Sequence, residues 1–272
     1  MLSGEQITVR YGNRTAVDHL SFRLREGEWL MLAGPNGAGK STLLEAVAGG
    51  VPYTGTIHWR QQDIRTLKGA RLAREIGFLS QKNHMGYAYT VEEVVSLGRY
   101  AYKAGLFSGK DEQGADQIEK ALEITGLTEL RQASALTLSG GELQRVFLAQ
   151  VFAQNPRVLI LDEPANHLDL KYQQHIFSLI RQWLQEPGRA VLSVVHDLSL
   201  ARRYGTRAIL MDQGKSVAQG PMEEVMTPAR LRQVYGMDVY GWMREMLSQW
   251  AEEEPVRQPG PDGGRGTPPD SP

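Results

Sequence analysis

The stretch Gly34-Pro35-Asn36-Gly37-Ala38-Gly39-Lys40-Ser41-Thr42 decides the fold class of this chain. It fits Gly-x-x-x-x-Gly-Lys-Ser/Thr, the pattern of a loop that wraps a polyphosphate. Its glycines remove side chains, so successive backbone N–H groups can turn toward an anion. Lys40 brings a positive charge to the β- and γ-phosphates, and the Ser41 hydroxyl is suited to ligate Mg²⁺. Asn36 and Thr42 are read as supports for the loop and the helix start. The flanking sequence supplies the context that the pattern requires. Trp29-Leu30-Met31-Leu32-Ala33 is a short apolar run of strand type. Ser41 to Ala48 reads as a helix whose first N–H groups add to the anion site.

Outward from this loop, four apolar runs share one character: Leu30 to Ala33, Ile76 to Leu79, Val158 to Leu161 and Ala190 to Val195. They are short, nearly continuous and rich in Ile, Val and Leu, as strands buried on both faces of a parallel sheet are. Each is followed by polar groups suited to chemistry: the loop itself, Gln81, Asp162-Glu163 and His196. Ligands of open α/β sheets sit at the carboxyl ends of the strands, so four such endings predict one shared site. Strand-like alternation over Gln6 to Tyr11 and Leu20 to Leu24, with Gly12-Asn13 between them, predicts an antiparallel layer that Gly55 to Trp59 would join. Residues from about 84 to 155 read as mainly helical. Thr90 caps one helix, Gly126 stops another and Glu142 to Ala153 forms a third.

The 272 residues carry a formal net charge of −1 and no cysteine. The charge speaks against non-specific nucleic-acid binding, and no nucleic-acid partner is expected. The missing thiols exclude disulfides and cysteine chemistry. No secretory signal is visible at Met1-Leu2-Ser3-Gly4-Glu5, and no run approaches the ~18 apolar residues needed to cross a bilayer. In any membrane process a separate subunit would have to do the spanning. Residues 251–272, rich in proline and poor in large apolar side chains, read as a disordered tail.

Leu138-Ser139-Gly140-Gly141-Glu142 is a second glycine motif at a helix start. Alone it is a weak signal, since Ser-Gly-Gly before a helix is more often a simple capped start than a phosphate contact. In company with the other motifs, the chain resembles the nucleotide-binding subunits of ABC transporters over roughly residues 5 to 250. Leu138 to Glu142, continued by Gln144-Arg145, is similar to their signature motif. Val158 to Pro164 is similar to their Walker B strand with its catalytic glutamate, and Gln81 stands at the Q-loop position. Ala165-Asn166-His167-Leu168-Asp169 resembles the D-loop, His196 the switch histidine, and Tyr11 the aromatic that stacks on adenine. Within the family, Thr90 to Tyr100, Asn166 to Asp169 and Tyr235-Gly236-Met237-Asp238-Val239 resemble the ATPases of importers for iron–siderophore, haem and cobalamin. Glu142, Ala165 and Tyr102 depart from the residues more usual at their positions, and none of the three removes a catalytic group.

The resemblance implies an α/β fold: a P-loop NTPase core with a mainly parallel sheet, an N-terminal antiparallel β-subdomain and an inserted α-helical subdomain. One ATPase domain would span residues 1–250, with the helical part at about 84–155. The catalytic group would be Glu163 as general base with His196, Gln81 and Lys40. ATP would be bound by Tyr11, by Gly34, Pro35, Asn36, Gly37, Ala38, Gly39, Lys40, Ser41 and Thr42, and by Ser139, Gly140, Gly141 and Glu142 of a second copy in a head-to-tail dimer. Mg²⁺ would be held by Ser41, Gln81 and Asp162. Taken singly, Gln81 could be a loop amide, Asp162 and Glu163 turn acids before Pro164, His196 a structural histidine and Tyr11 a core aromatic. The implied partners are transmembrane permease subunits and, indirectly, an extracytoplasmic substrate-binding protein, with the chain peripheral at the cytoplasmic face of the membrane. Four tyrosines between Tyr87 and Tyr102, with Met85 nearby, mark an expected contact with the permease. A soluble ABC-type ATPase of assembly, repair or translation and a small-molecule kinase are the alternatives. The first would carry extra domains or a tandem cassette, and the second would lack the motif at Ser139.

Overall fold

The computed structural model describes residues 1–81, 86–103, 111–166 and 168–250. Met85, His167 and the tail 251–272 lie outside the described residues. Ten strands are found among those described: β1 (Leu2–Tyr11), β2 (Arg14–Leu24), β3 (Trp29–Ala33), β4 (Thr54–Trp59), β5 (Gln62–Asp63), β6 (Ile76–Leu79), β7 (Val158–Asp162), β8 (Ala190–Val194), β9 (Arg207–Asp212) and β10 (Lys215–Pro221). The helices are α1 (Lys40–Val47), α2 (Gly69–Glu75), α3 (Val91–Leu97), α4 (Tyr100–Lys103), α5 (Gly114–Ile124), α6 (Gly140–Ala153), α7 (Leu170–Leu184), α8 (Leu198–Tyr204), α9 (Met222–Val225), α10 (Pro228–Tyr235) and α11 (Val239–Ser248).

Six strands form the main sheet in the order β10-β9-β3-β8-β7-β6. All its neighbours pair in parallel except β10, which folds back antiparallel on β9. The four runs read as doubly buried strands are β3, β6, β7 and β8. Alternation explains their unbroken hydrophobicity. Trp29, Met31, Leu159, Leu161 and Val191 point into a core shared with α6 and α7. Leu30, Leu32, Val158, Ile160, Leu192 and Val194 point into a second core on the opposite face, shared with α1 and the antiparallel sheet. A strand with apolar partners on both sides has no polar face to show. Strand β9 and the hairpin to β10 were not anticipated: β10 is an edge strand of mixed, largely exposed residues with no clean alternation, whereas Ala208 to Met211 of β9 is a buried apolar run like the other four and was legible as one.

The second sheet is antiparallel, in the order β2-β1-β4-β5, and matches the expected layer. Gly12, at φ +56°, turns β1 into β2 and sets Tyr11 opposite Arg14. Helices α3 to α6 lie between β6 and β7 in the chain. Thr90 caps α3 by accepting from the Glu93 N–H, and Glu93 reaches back to the Thr90 N–H, a reciprocal cap legible in Thr90-Val91-Glu92-Glu93. Tyr87, Tyr89 and Tyr100 are exposed. Tyr102 is not. Its hydroxyl donates to the Gln154 carbonyl at 3.1 Å, and the Arg99 guanidinium lies 3.6 Å from its ring centre. The tyrosine cluster therefore divides into three surface rings and one packing ring.

Candidate functional site

Register builds the site. Asp162 pairs with Val194 and Leu32 also pairs with Val194, so β7, β8 and β3 end side by side. Leu79 pairs with Leu161, which brings the end of β6 to the same rim. The residues just past each strand end must converge there.

The loop from β3 to α1 needs its glycines. Gly34 has φ +142°, and a Cβ on it would stand 2.1 Å from the Met211 carbonyl oxygen. Gly39 has φ +96°, and its Cβ would meet the Ala16 carbonyl oxygen at 2.1 Å. A side chain at either position would collide with main chain. Lys40 is buried, and its ammonium donates to the carbonyls of Gly34 at 2.7 Å and Pro35 at 2.8 Å. Burial lowers the Lys40 pKa, opposed by the carboxylates of Glu163 and Asp162. Ser41 donates to Asp162 Oδ1 at 3.1 Å. Burial raises the Asp162 pKa, partly countered by that hydroxyl and reinforced by Glu163.

Glu163 occupies the left-handed region at φ +53°, unusual for a residue with a side chain. The turn is imposed by its N–H, which donates to the Val194 carbonyl at 3.1 Å, and by its carbonyl, which accepts from the Asn166 N–H at 3.2 Å. The chain thereby leaves strand geometry at once, and the carboxylate enters the cleft. There Oε1 lies 2.5 Å from His196 Nε2, and Oε2 accepts from Gln81 Nε2 at 2.8 Å and from Asn166 Nδ2. A carboxylate in its ionised form only accepts, so the tautomer that suits this pair has the proton on His196 Nε2. Strain at one backbone position and three side-chain donors hold a single carboxylate, the arrangement expected where geometry matters to chemistry.

A cleft of about 440 Å³ is lined by Tyr11, Asn36, Gly37, Gly39, Lys40, Ser41, Thr42, Glu163 and His196, together with Arg14 and Ala16. Tyr11 is half exposed, and its hydroxyl is 3.4 Å from Glu45 Oε2. Gly34, Pro35 and Ala38 stand behind the cleft surface: the first two hold Lys40, and the Ala38 carbonyl accepts from the Gly214 N–H at 3.1 Å. Gln81 donates to Glu163 Oε2 at 2.8 Å, which places its amide beside the carboxylate rather than identifying it as a metal ligand. Ser139, Gly140, Gly141 and Glu142 do not line this cleft. They open α6, where Ser139 accepts from the Glu142 N–H at 3.3 Å and donates to Glu142 Oε2 at 2.7 Å. A Cβ on Gly141 would press on the Tyr172 ring at 2.9 Å, whereas one on Gly140 would meet nothing within 4 Å.

Residues 17–166 match the family model described as ABC transporter. The chain belongs to the ABC transporter family. It is 37% identical to an uncharacterized ABC transporter ATP-binding protein of Bacillus subtilis (strain 168), over 88% of this chain and 54% of that protein. It is 35% identical to the ferric enterobactin transport ATP-binding protein of Escherichia coli (strain K12), over 87% of each. The hemin import ATP-binding protein of Rhodococcus jostii (strain RHA1) is 38% identical over 88% of this chain and 80% of that protein. The chain thus spans about half the length of the first relative and most of the other two. Among solved structures, a dimeric ATP-binding cassette in a post-hydrolysis state, bound to ADP and Pi, aligns with a TM-score of 0.69 at 27% identity, over 82% of this chain and 99% of that one.

As an ABC cassette, the chain has a donor set that fits a hard divalent cation. No group of three or more acidic, histidine or cysteine side chains gathers as a metal site among the described residues. Mg²⁺ needs none, since it takes one carboxylate, a hydroxyl, waters and the oxygens of a bound phosphate. Ser41 Oγ and Asp162 Oδ1 already face each other, and Asp162 is a buried carboxylate whose charge a cation would relieve. Arg14 and Ala16 are the cleft residues that sequence reading missed. The signal for Arg14 was its place directly after Gly12-Asn13, where a tight turn sets it opposite Tyr11. Ala16 carries no side-chain signal, because it contributes by the position of its backbone.

Proposed function

We propose that this chain is the ATP-binding and ATP-hydrolysing subunit of a membrane importer for an iron chelate or haem. The observation that carries the ATPase reading is the Glu163 carboxylate, gripped by His196 and Gln81 at the mouth of a glycine loop that holds a buried lysine. The N–H groups of the loop and Lys40 bind the phosphates. Tyr11 supplies a ring face for the base. Glu163 orients and deprotonates the attacking water, and His196 holds that carboxylate and donates toward charge developing on the terminal phosphate. Ser41 and Asp162 would hold Mg²⁺, which when bound neutralises phosphate charge. The ATPase unit is residues 1–250, with a helical subdomain at about 84–155.

The cargo reading rests on relatives named for ferric enterobactin transport and hemin import. No helix among the described residues is long and apolar enough to cross a membrane. A permease pair therefore does the spanning, with a second copy of this chain beside the first at the cytoplasmic face. An extracytoplasmic binding protein delivers the cargo. Exposed Tyr87, Tyr89 and Tyr100 form the permease contact.

Glu163→Gln tests the chemistry. The variant keeps the shape of the side chain and one acceptor oxygen, exchanges the other oxygen for an NH2 donor, and cannot take a proton. It is expected to bind ATP like the parent and to lose about 10²–10⁴-fold in turnover, measured as phosphate released without any acceptor. Near-normal turnover in that variant would remove Glu163 as the base. A parent protein that forms ADP only when an acceptor is supplied, with the phosphoryl group ending on that acceptor and none released as phosphate, would favour a kinase.

A further inference from the structure

We propose that Tyr235 is a positioning residue for the nucleotide, fixing the first residue of the phosphate loop from behind. The inference rests on the reading of the cleft as an ATP site. Gly34 is held on three sides. Its α-carbon sits against the Met211 backbone, with no room for a Cβ. Its carbonyl accepts from Lys40 at 2.7 Å. Its N–H donates to the Tyr235 hydroxyl at 3.1 Å. Lys40 belongs to the strand-loop-helix unit itself, whereas Tyr235 comes from 201 residues further along the chain.

The sequence around Tyr235 is built to deliver that hydroxyl. Thr227 caps α10 by accepting from the Arg230 N–H, and Pro228 starts the helix. Leu231 and Val234 anchor it in the core. Gly236, at φ +70°, ends it in the left-handed region, so Tyr235 is the last helical residue. Tyr235 is not among the residues that line the cleft, so it acts through Gly34 and touches no nucleotide. Burial pushes its phenol above the ordinary range, which keeps it an uncharged acceptor beside an anion site.

The consequence is preorganisation. Gly34 carries both the N–H that Tyr235 pins and, across its α-carbon in the next peptide unit, the carbonyl that holds the Lys40 ammonium. Without the hydroxyl a partly buried N–H loses its partner, and the empty loop gains conformations that ATP must then select against.

The test is Tyr235→Phe in the full chain, with Tyr240→Phe as its control. Tyr240 also makes hydroxyl bonds, donating to the Met226 carbonyl at 2.8 Å and accepting from Arg202, on the adjoining helix but away from the loop. Both variants are compared at a temperature where circular dichroism shows them folded. Tyr235→Phe is expected to raise the Kd and KM for ATP about 5- to 10-fold while kcat stays within about twofold, and Tyr240→Phe should leave all three at parental values. A parental Kd in Tyr235→Phe, or an equal weakening in both variants, overturns the inference. Lys40→Ala run in parallel separates the two readings. If it loses ATP while Tyr235→Phe does not, only this inference falls. If it binds ATP normally, the nucleotide site itself is misassigned.

Discussion

At the scale of single residues, the cleft is a place where burial and charge are in conflict. One buried ammonium, Lys40, faces two buried carboxylates, Asp162 and Glu163. The Asp162 pKa is raised by burial, so the folded protein binds its proton more tightly than the unfolded chain does. The ionised carboxylate therefore costs stability near neutral pH, and that cost disappears as pH falls through the folded pKa. Asp162→Asn removes the charge and keeps an oxygen for the Ser41 hydroxyl. The nucleotide-free variant is expected to melt about 2–4 °C above the parent at pH 7.5, with the gap closing toward pH 4, while phosphate release collapses. Thermal melts across that pH range check the sign, and an advantage that grows on acidification would contradict it. Glu163 carries a different kind of cost, a left-handed backbone of about 1–3 kcal/mol held by its neighbours.

At the scale of elements, the start of α6 shows how a common cap is adapted. Ser139 and Glu142 make the same reciprocal cap that Thr90 and Glu93 make on α3. On α3 it only starts a helix. On α6 the same serine is the group expected to meet a phosphate, and its hydroxyl proton is engaged by the Glu142 carboxylate at 2.7 Å. That hydrogen bond and the Ser139 N–H hold the Glu142 pKa below the usual range, so it stays charged at working pH. A fixed negative charge thus sits where the helix N-terminus would otherwise attract an anion. Glu142→Gln keeps an acceptor for the cap and removes the charge. Light scattering of the hydrolysis-deficient Glu163→Gln background should then show ATP-dependent dimers at about two- to fivefold lower protein concentration. An unchanged or weaker dimer would mean that Glu142 does not oppose nucleotide.

At the scale of the whole molecule, the cleft and the proposed second half-site at the α6 start are separate within one chain. Lys40 and Glu163 share a cleft that Ser139 to Glu142 do not line. In the proposed head-to-tail pair, each cleft would face the other copy's α6 start. Ser139→Arg and Lys40→Ala each disable one half-site in both positions of their own homodimer. Mixed, they form a heterodimer in which one composite site has both Lys40 and Ser139 intact and the other has neither. Phosphate release from the mixture is expected to exceed that of either variant alone, up to about half the parental rate for the heterodimer fraction. If crosslinking shows heterodimers but the mixture stays as inactive as its components, independent composite sites are ruled out.

The sequence by itself determined the phosphate loop, the doubly buried strands, both capped helix starts and the family, because each rests on local rules. Glycine opens backbone conformations, apolar runs of strand length mark two-sided burial, and Ser/Thr three residues before Glu starts a helix. Only the tertiary structure decided which groups share the cleft. Arg14 and Ala16 enter it through strand register. Gln81 reaches the Glu163 carboxylate. Tyr235 reaches Gly34 across 201 residues. Long-range adjacency of this kind leaves no periodicity in a sequence, since it arises from how strands pair and helices pack after the local elements have formed.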